Sequence, residues 1–241
     1  MVNNALGVIG GLGPMATARF LELVTAMTDA ETDQQHIPML IYSCPAIPDR
    51  TACILDPSKP SPLPAMLDIG NRLVRQGATV LAIPCFSAHY FYDSLAQGVP
   101  VPVIHGIRET ALRLKEQGAA SAGLLATSGS IRSRLFQQEL EALGIRPILP
   151  APERQEDVMH LIYRNLKAGL PPEEERFFAL KQDLQRQGAE TIILGCTELS
   201  LLERYFSPGP GCLDALAVLA RQAVLRCGGR LKPRYRDLIT T

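Results

Sequence analysis

Arg75-Gln76-Gly77-Ala78-Thr79-Val80-Leu81-Ala82-Ile83-Pro84-Cys85 and Arg186-Gln187-Gly188-Ala189-Glu190-Thr191-Ile192-Ile193-Leu194-Gly195-Cys196 are two versions of one stretch. The offset is 111 residues at both ends, from 75 to 186 and from 85 to 196. Each version reads as the end of a helix, a glycine turn, a buried strand and a cysteine at the strand's C-terminal tip. A hydroxyl residue follows closely, Ser87 in the first and Thr197 in the second. A looser echo precedes each copy. Gly7-Val8-Ile9-Gly10-Gly11-Leu12-Gly13 returns as Gly123-Leu124-Leu125-Ala126-Thr127-Ser128-Gly129, 116 residues on. Repetition on this scale predicts two related α/β halves, each offering one thiol.

The rest of the chain agrees with that reading. Ala5 to Gly10 is a short apolar strand, and Pro14 suits the first turn of the helix after it, where its missing N–H costs nothing. Strand, glycine turn and helix N-terminus together make an anion site. Pro38 to Ser43 reads as a second strand delivering Asp49-Arg50 beyond its end. The prolines of 56–64 rule out helix and central strand and predict a surface loop. Strands are expected at 99–103, 122–126 and 146–149. Helices are expected at 63–76, 104–117, 130–143, 153–168, from 171 to 187, and from 213 to 227. The alternation implies parallel sheets with helices on both faces. The expected division is residues 1–103 with 208–241 as one domain and 104–207 as the other, with 207–211 as a linker. In such sheets ligands bind beyond the C-terminal ends of the strands, where Arg50, Cys85, Thr127 and Cys196 all fall.

Bulk properties narrow the function. The 241 residues are 46% hydrophobic and 20% charged, enough for a real core. Lys plus Arg and Asp plus Glu both total 24, so no long-range field draws the chain to nucleic acid or an anionic membrane. No apolar run approaches the ~18 residues needed to cross a bilayer. Met1-Val2-Asn3-Asn4 carries no export signature, so a cytoplasmic location is expected. The six cysteines form no C-x-x-C pair, which argues against a zinc ribbon or a thioredoxin-like centre. Free thiols are then expected. Cys85-x3-His89 is a single pair, too few ligands for a metal site.

Two thiols facing each other across a cleft suit one kind of chemistry. One thiolate removes a proton from a carbon centre and the opposite thiol returns one to the other face. Such a pair inverts a stereocentre without a cofactor. Only a few per cent of a cysteine with pKa ~8.5 is thiolate at neutral pH, and a strand tip before a helix N-terminus lowers that value. The substrate carboxylate gains charge as the proton leaves and needs donors. Arg50 can clamp it bidentately. Backbone N–H groups near Gly11 and the hydroxyls of Thr127, Ser130 and Thr197 can add to this. Thr127 and Ser130 serve equally well as helix caps. Glu198 suits either a substrate amine or a neighbouring group, and a helix cap is the alternative.

These residues resemble the aspartate/glutamate racemase family along nearly the whole chain. The resemblance rests on Gly10-Gly11-Leu12-Gly13-Pro14-Met15-Ala16-Thr17, Ile47-Pro48-Asp49-Arg50-Thr51-Ala52, Ile83-Pro84-Cys85 with Ser87-Ala88-His89, Leu124 to Ser130, Leu166-Lys167-Ala168-Gly169, and Gly195-Cys196-Thr197-Glu198-Leu199. It implies two pseudo-symmetric flavodoxin-like domains with the active site between them, and usually a homodimer. It implies no pyridoxal phosphate, no metal and an acidic amino acid as substrate. It assigns Cys85 and Cys196 as the acid/base pair and Arg50 and Lys167 as carboxylate anchors. One position departs from the family: Phe86 stands where an Asn normally follows the first cysteine, while Ser87 keeps a hydroxyl. The departure keeps open a non-racemising relative, either a decarboxylase or isomerase of another acid or a carboxylate-binding protein. Gly11-x-Gly13-x-x-Ala16 also fits a dinucleotide fingerprint. The acidic residue that a dinucleotide site needs after the next strand is missing there, and the repeated cysteine would go unexplained.

Overall fold

The computed structural model describes residues 4–241. The first sheet is built from β1 (Ala5–Gly10), β2 (Met39–Ser43) and β3 (Ala78–Ala82), in the order β2-β1-β3. Both pairings are parallel. Residues 99–103 form no full strand. They run beside β3 through one parallel bridge, Leu81 with Val103, and thereby occupy a fourth position. The second sheet holds β4 (Ser121–Leu125), β5 (Arg146–Ile148), β6 (Thr191–Leu194) and β7 (Cys212–Asp214), in the order β5-β4-β6-β7. Its pairings are parallel throughout. The two sheets therefore repeat one order: second strand, first, third, then fourth.

The helices follow from the sequence pattern. Pro14 opens α1 (Pro14–Met27), which buries Phe20, Val24 and Met27 on the first sheet. Helix α3 (Leu63–Arg75) inserts Met66, Ile69 and Leu73 on the other face. Two short helices escaped the pattern: α2 (Arg50–Leu55), whose N-terminus Asp49 caps by accepting the Ala52 N–H at 2.7 Å, and α4 (Tyr92–Gly98). Helix α5 (Gly106–Glu116) carries the chain to the second half, where Ile107, Ala111 and Leu114 share a core with β4 and Phe136. There follow α6 (Ser128–Arg132), α7 (Leu135–Ala142), α8 (Pro152–Met159) and α9 (Glu174–Arg186).

The chain re-crosses later than residue 207. Residues 212–214, grouped with the first half in the sequence, pair with β6 as the edge of the second sheet. Asp214 then caps α10 (Ala215–Arg226), accepting the Leu216 N–H at 2.9 Å. Helix α10 packs Leu216, Ala220 and Val224 against Leu6, Val8 and Phe20 of the first half. A three-residue edge strand leaves almost no periodicity to read, and Leu213 and Asp214 fall inside the helix expected from 213.

Candidate active site

In each sheet the strand order reverses between its first and third strands, and such a switch point opens a crevice at the C-terminal edge. Leu12 follows β1 and Cys85 follows β3; Thr127 follows β4 and Cys196 follows β6. All four line one narrow cavity, with Arg50, Phe86, Ser87, Lys167, Thr197 and Glu198. Asp49, Thr51, Tyr163 and Gly195 complete the wall. Cys85 and Cys196 are each 6% exposed. The space open to the centre of a water molecule is only about 10 Å3, room for about one water.

The two sulfurs have different neighbours. The Cys196 thiol donates to Glu198 Oε2 at 3.0 Å. Burial, then the Glu198 carboxylate, push that thiol well above its usual range, with Lys167 opposing. Glu198, itself 3% exposed, also accepts the Thr197 hydroxyl at 3.2 Å and Lys167 Nζ at 2.5 Å. Burial alone would lower Lys167. Glu198, followed by the two cysteine sulfurs, raises it instead. Cys85 faces Arg50. Burial disfavours the guanidinium charge, but the Cys85 sulfur, then Asp49 and Tyr163, hold Arg50 above its usual range.

Arg50 is fixed by backbone. Its Nη2 donates to Leu12 O at 2.8 Å, and its Nη1 to Pro48 O at 3.0 Å and Ile47 O at 3.4 Å. Its Nε is buried without a partner. No carboxylate sits within ion-pair distance of it among the described residues, and the Cys85 sulfur leads the groups that offset its charge. A hydroxyl cluster adjoins the cavity through Ser87 and Thr127. Ser87 Oγ is 2.9 Å from Thr127 Oγ1 and 3.1 Å from Ser130 Oγ. Thr127 also caps α6 by accepting the Ser130 N–H at 3.3 Å, so cap and cavity wall coincide.

Lys167 and Tyr163 reach the cavity through a local widening. After α8 the helix loosens into a π-turn over His160–Leu166, in which the Lys167 N–H bonds Ile162 O at 2.9 Å. Such turns re-aim side chains. Lys167 Nζ then lies 5.5 Å from the centre of the Tyr163 ring, and burial raises the Tyr163 phenol to about 12. Tyr163 was not read as a site residue from the sequence. Its spacing of four from Lys167 was the available signal, since residues four apart share a helix face.

The Phe86 ring has an occupation of its own. It is 2% exposed and packs edge-on against Phe136 at 5.6 Å and beside His89 at 5.5 Å. It thus joins the core of the second half while its residue borders the cavity. His89 is a clamp. It accepts the Gly106 N–H at Nε2 (3.0 Å), so the proton sits on Nδ1, which faces Cys85 O at 3.1 Å. Both ring nitrogens are therefore used in binding the Cys85 turn to the start of α5, leaving neither for a metal.

The chain as a whole has counterparts among known proteins. Residues 9–223 match the sequence profile of the Asp/Glu/hydantoin racemase family. The chain belongs to that family. It is 28% identical over 228 residues to the broad specificity amino-acid racemase RacX of Bacillus subtilis (strain 168), covering 91% of this chain and 96% of that protein. It superposes on the Picrophilus torridus aspartate racemase with a TM-score of 0.81 at 28% identity, covering 97% and 98% of the two chains. A putative Asp/Glu racemase from Yersinia pestis shares the fold, with a TM-score of 0.77 at 24% identity over 93% of this chain and 99% of the other. The fold is thus that of the Asp/Glu racemases, two flavodoxin-like α/β units. Among the described residues no helix is long and apolar enough to cross a membrane.

Proposed function

We propose that this protein is a cofactor-independent amino-acid racemase, working as a cytoplasmic homodimer, in which Cys85 and Cys196 are the acid/base pair. The observation that carries the proposal is that both thiols open into one cavity beside Arg50, a buried cation held by backbone carbonyls. The α-carboxylate of the substrate lies against Arg50, whose positive charge stabilises the enediolate character that develops as the α-proton leaves. Cys85, next to that guanidinium, takes the proton as thiolate. Cys196, kept as a thiol by burial and Glu198, gives its proton to the opposite face. The C–H bond broken on one side is replaced by a C–H bond on the other, and the charge passes from Cys85 to Cys196. For the opposite enantiomer the roles reverse, with Lys167 and Arg50 as the cations on either side. Ser87, Thr127 and Ser130 supply neutral donors to the substrate's polar groups.

The resemblance implies an acidic substrate, whose two carboxylates Arg50 and Lys167 would divide between them. That division has an obstacle in the Lys167–Glu198 pair. RacX, by its name, handles many amino acids, which favours a broad panel as the test. The experiment is α-proton exchange in D2O, followed by NMR on both enantiomers of each amino acid without added cofactor. Wash-in of deuterium with loss of optical purity is expected. No exchange on any amino acid would end the racemase reading and leave the carboxylate-binding alternative.

A further inference from the structure

A second cavity lies against the outer wall of the site. It is open-mouthed and encloses about 500 Å3, against about 10 Å3 between the thiols. The two spaces share Leu12, Asp49, Arg50, Lys167 and Glu198. Beyond that shared wall the lining is chiefly apolar, with Met15, Ile47 and Leu166 its largest side chains. The inner space, with room for about one water, has to widen for the reacting centre itself, so the outer cavity is the volume already open to a side chain. A substrate whose α-carbon sits between the sulfurs has to direct its side chain through the shared wall.

The charges along that path decide what kind of side chain fits. Arg50 and Lys167 are the cations lining the two spaces, and Glu198 and Asp49 the anions. A substrate α-carboxylate takes Arg50. Lys167 is committed to Glu198 at 2.5 Å, and drawing it away leaves a carboxylate buried and unpaired, which is strongly unfavourable. A second substrate carboxylate therefore finds no free cation. Asp49 is exposed, and its partners, the Ala52 N–H at 2.7 Å and the Tyr163 hydroxyl at 3.5 Å, are neutral. Glu198 is engaged by Lys167 and by the Cys196 and Thr197 side chains. A positive side chain therefore meets Asp49 as its acid on the way out, and an apolar stem meets Met15, Ile47 and Leu166.

We infer that the outer cavity is the side-chain subsite and that it takes a long, unbranched side chain without a carboxylate, a cationic end being preferred. The inference rests on the racemase reading and names its substrate class. It assigns lysine-, arginine- or methionine-like amino acids to this protein in place of aspartate and glutamate.

Its test compares kcat/KM for α-proton exchange on lysine, methionine, alanine, aspartate and glutamate, with the wild type and with Met15→Trp. Met15 is 48% exposed, so an indole is accommodated without disturbing the core, and it fills the outer cavity. Lysine and methionine are expected to exceed both alanine and the two acids by at least about tenfold. Met15→Trp is expected to shrink the lysine-to-alanine ratio by a similar factor. Exchange confined to aspartate and glutamate would overturn the subsite and leave the racemase intact. A lysine-to-alanine ratio untouched by Met15→Trp would do the same. Absence of exchange on all five removes the racemase reading and the subsite with it.

Discussion

Glu198 accepts the Cys196 thiol at 3.0 Å through one carboxylate oxygen while the other holds Lys167 at 2.5 Å. The carboxylate thus adds to burial in keeping one sulfur protonated, and it engages the charge of one lysine. Replacing it with the neutral isostere, Glu198→Gln, removes the negative charge that raises Cys196 and leaves Lys167 to lower it. Each unit by which the thiol falls multiplies the thiolate fraction by about ten. Cys196 is expected to alkylate about tenfold faster or more at pH 8, read by mass spectrometry of its peptide. An unchanged rate would mean that burial alone governs this thiol.

The two cysteines are expected to be separately indispensable. Cys85→Ser and Cys196→Ser each replace a thiol with a hydroxyl that is a far weaker acid, and each should lower racemisation by about two to four decades. Circular dichroism should stay native, since both side chains sit at a cavity wall. Exchange of the α-proton without inversion in one mutant would identify which sulfur acts on which face. Normal turnover by either mutant would remove that residue from the mechanism.

Gly13 tests the ion pair from the backbone side. Its φ of −109° is open to any residue, but an added Cβ would lie 2.8 Å from Glu198 Oε1. Gly13→Ala should therefore turn Glu198 away from Lys167 and, by leaving a buried carboxylate unpaired, also lower the melting temperature. A fall of about tenfold or more in kcat/KM is expected, equivalent to ~1.4 kcal/mol. Full activity with an intact fold would show that the pair is dispensable.

The His89 clamp predicts the acid limb of stability. Burial, then His105, hold His89 down to about 3, against 6.5 in the unfolded chain. The folded protein binds fewer protons in that window, so stability is present above pH 6.5 and is lost as pH falls toward 3, by up to ~5 kcal/mol. Asp214 works in the opposite sense. Burial raises it to about 6 despite the Ser200 hydrogen bond, so its contribution is complete below pH 3.8 and is lost as pH rises through 6. The wider His89 shift should dominate. Urea titrations from pH 7 to 4 should show a decline that is shallower in His89→Gln, even though that variant is less stable at pH 7.

Much of this was legible in order along the chain. The duplicated stretch ending at Cys85 and Cys196 named both strands, both turns and both thiols, because a buried strand after a glycine turn has a strong apolar signature. Arg50, Thr127 and Ser130 followed from their place after strand ends. What the pattern missed was short or irregular: β7, with three residues, and the π-turn that delivers Tyr163. Both depend on neighbours supplied from elsewhere in the fold.

The amino-acid order by itself determined that there are two parallel α/β units and that one sulfur stands at the tip of an equivalent strand in each, since hydrophobic period and turn chemistry are local properties. Only the tertiary structure decided what those groups face. It put the Phe86 ring into the core, engaged Lys167 with Glu198, and set a roomy apolar cavity behind a tight polar one. Charge pairing and space arise between segments far apart in the chain, and no local pattern records them.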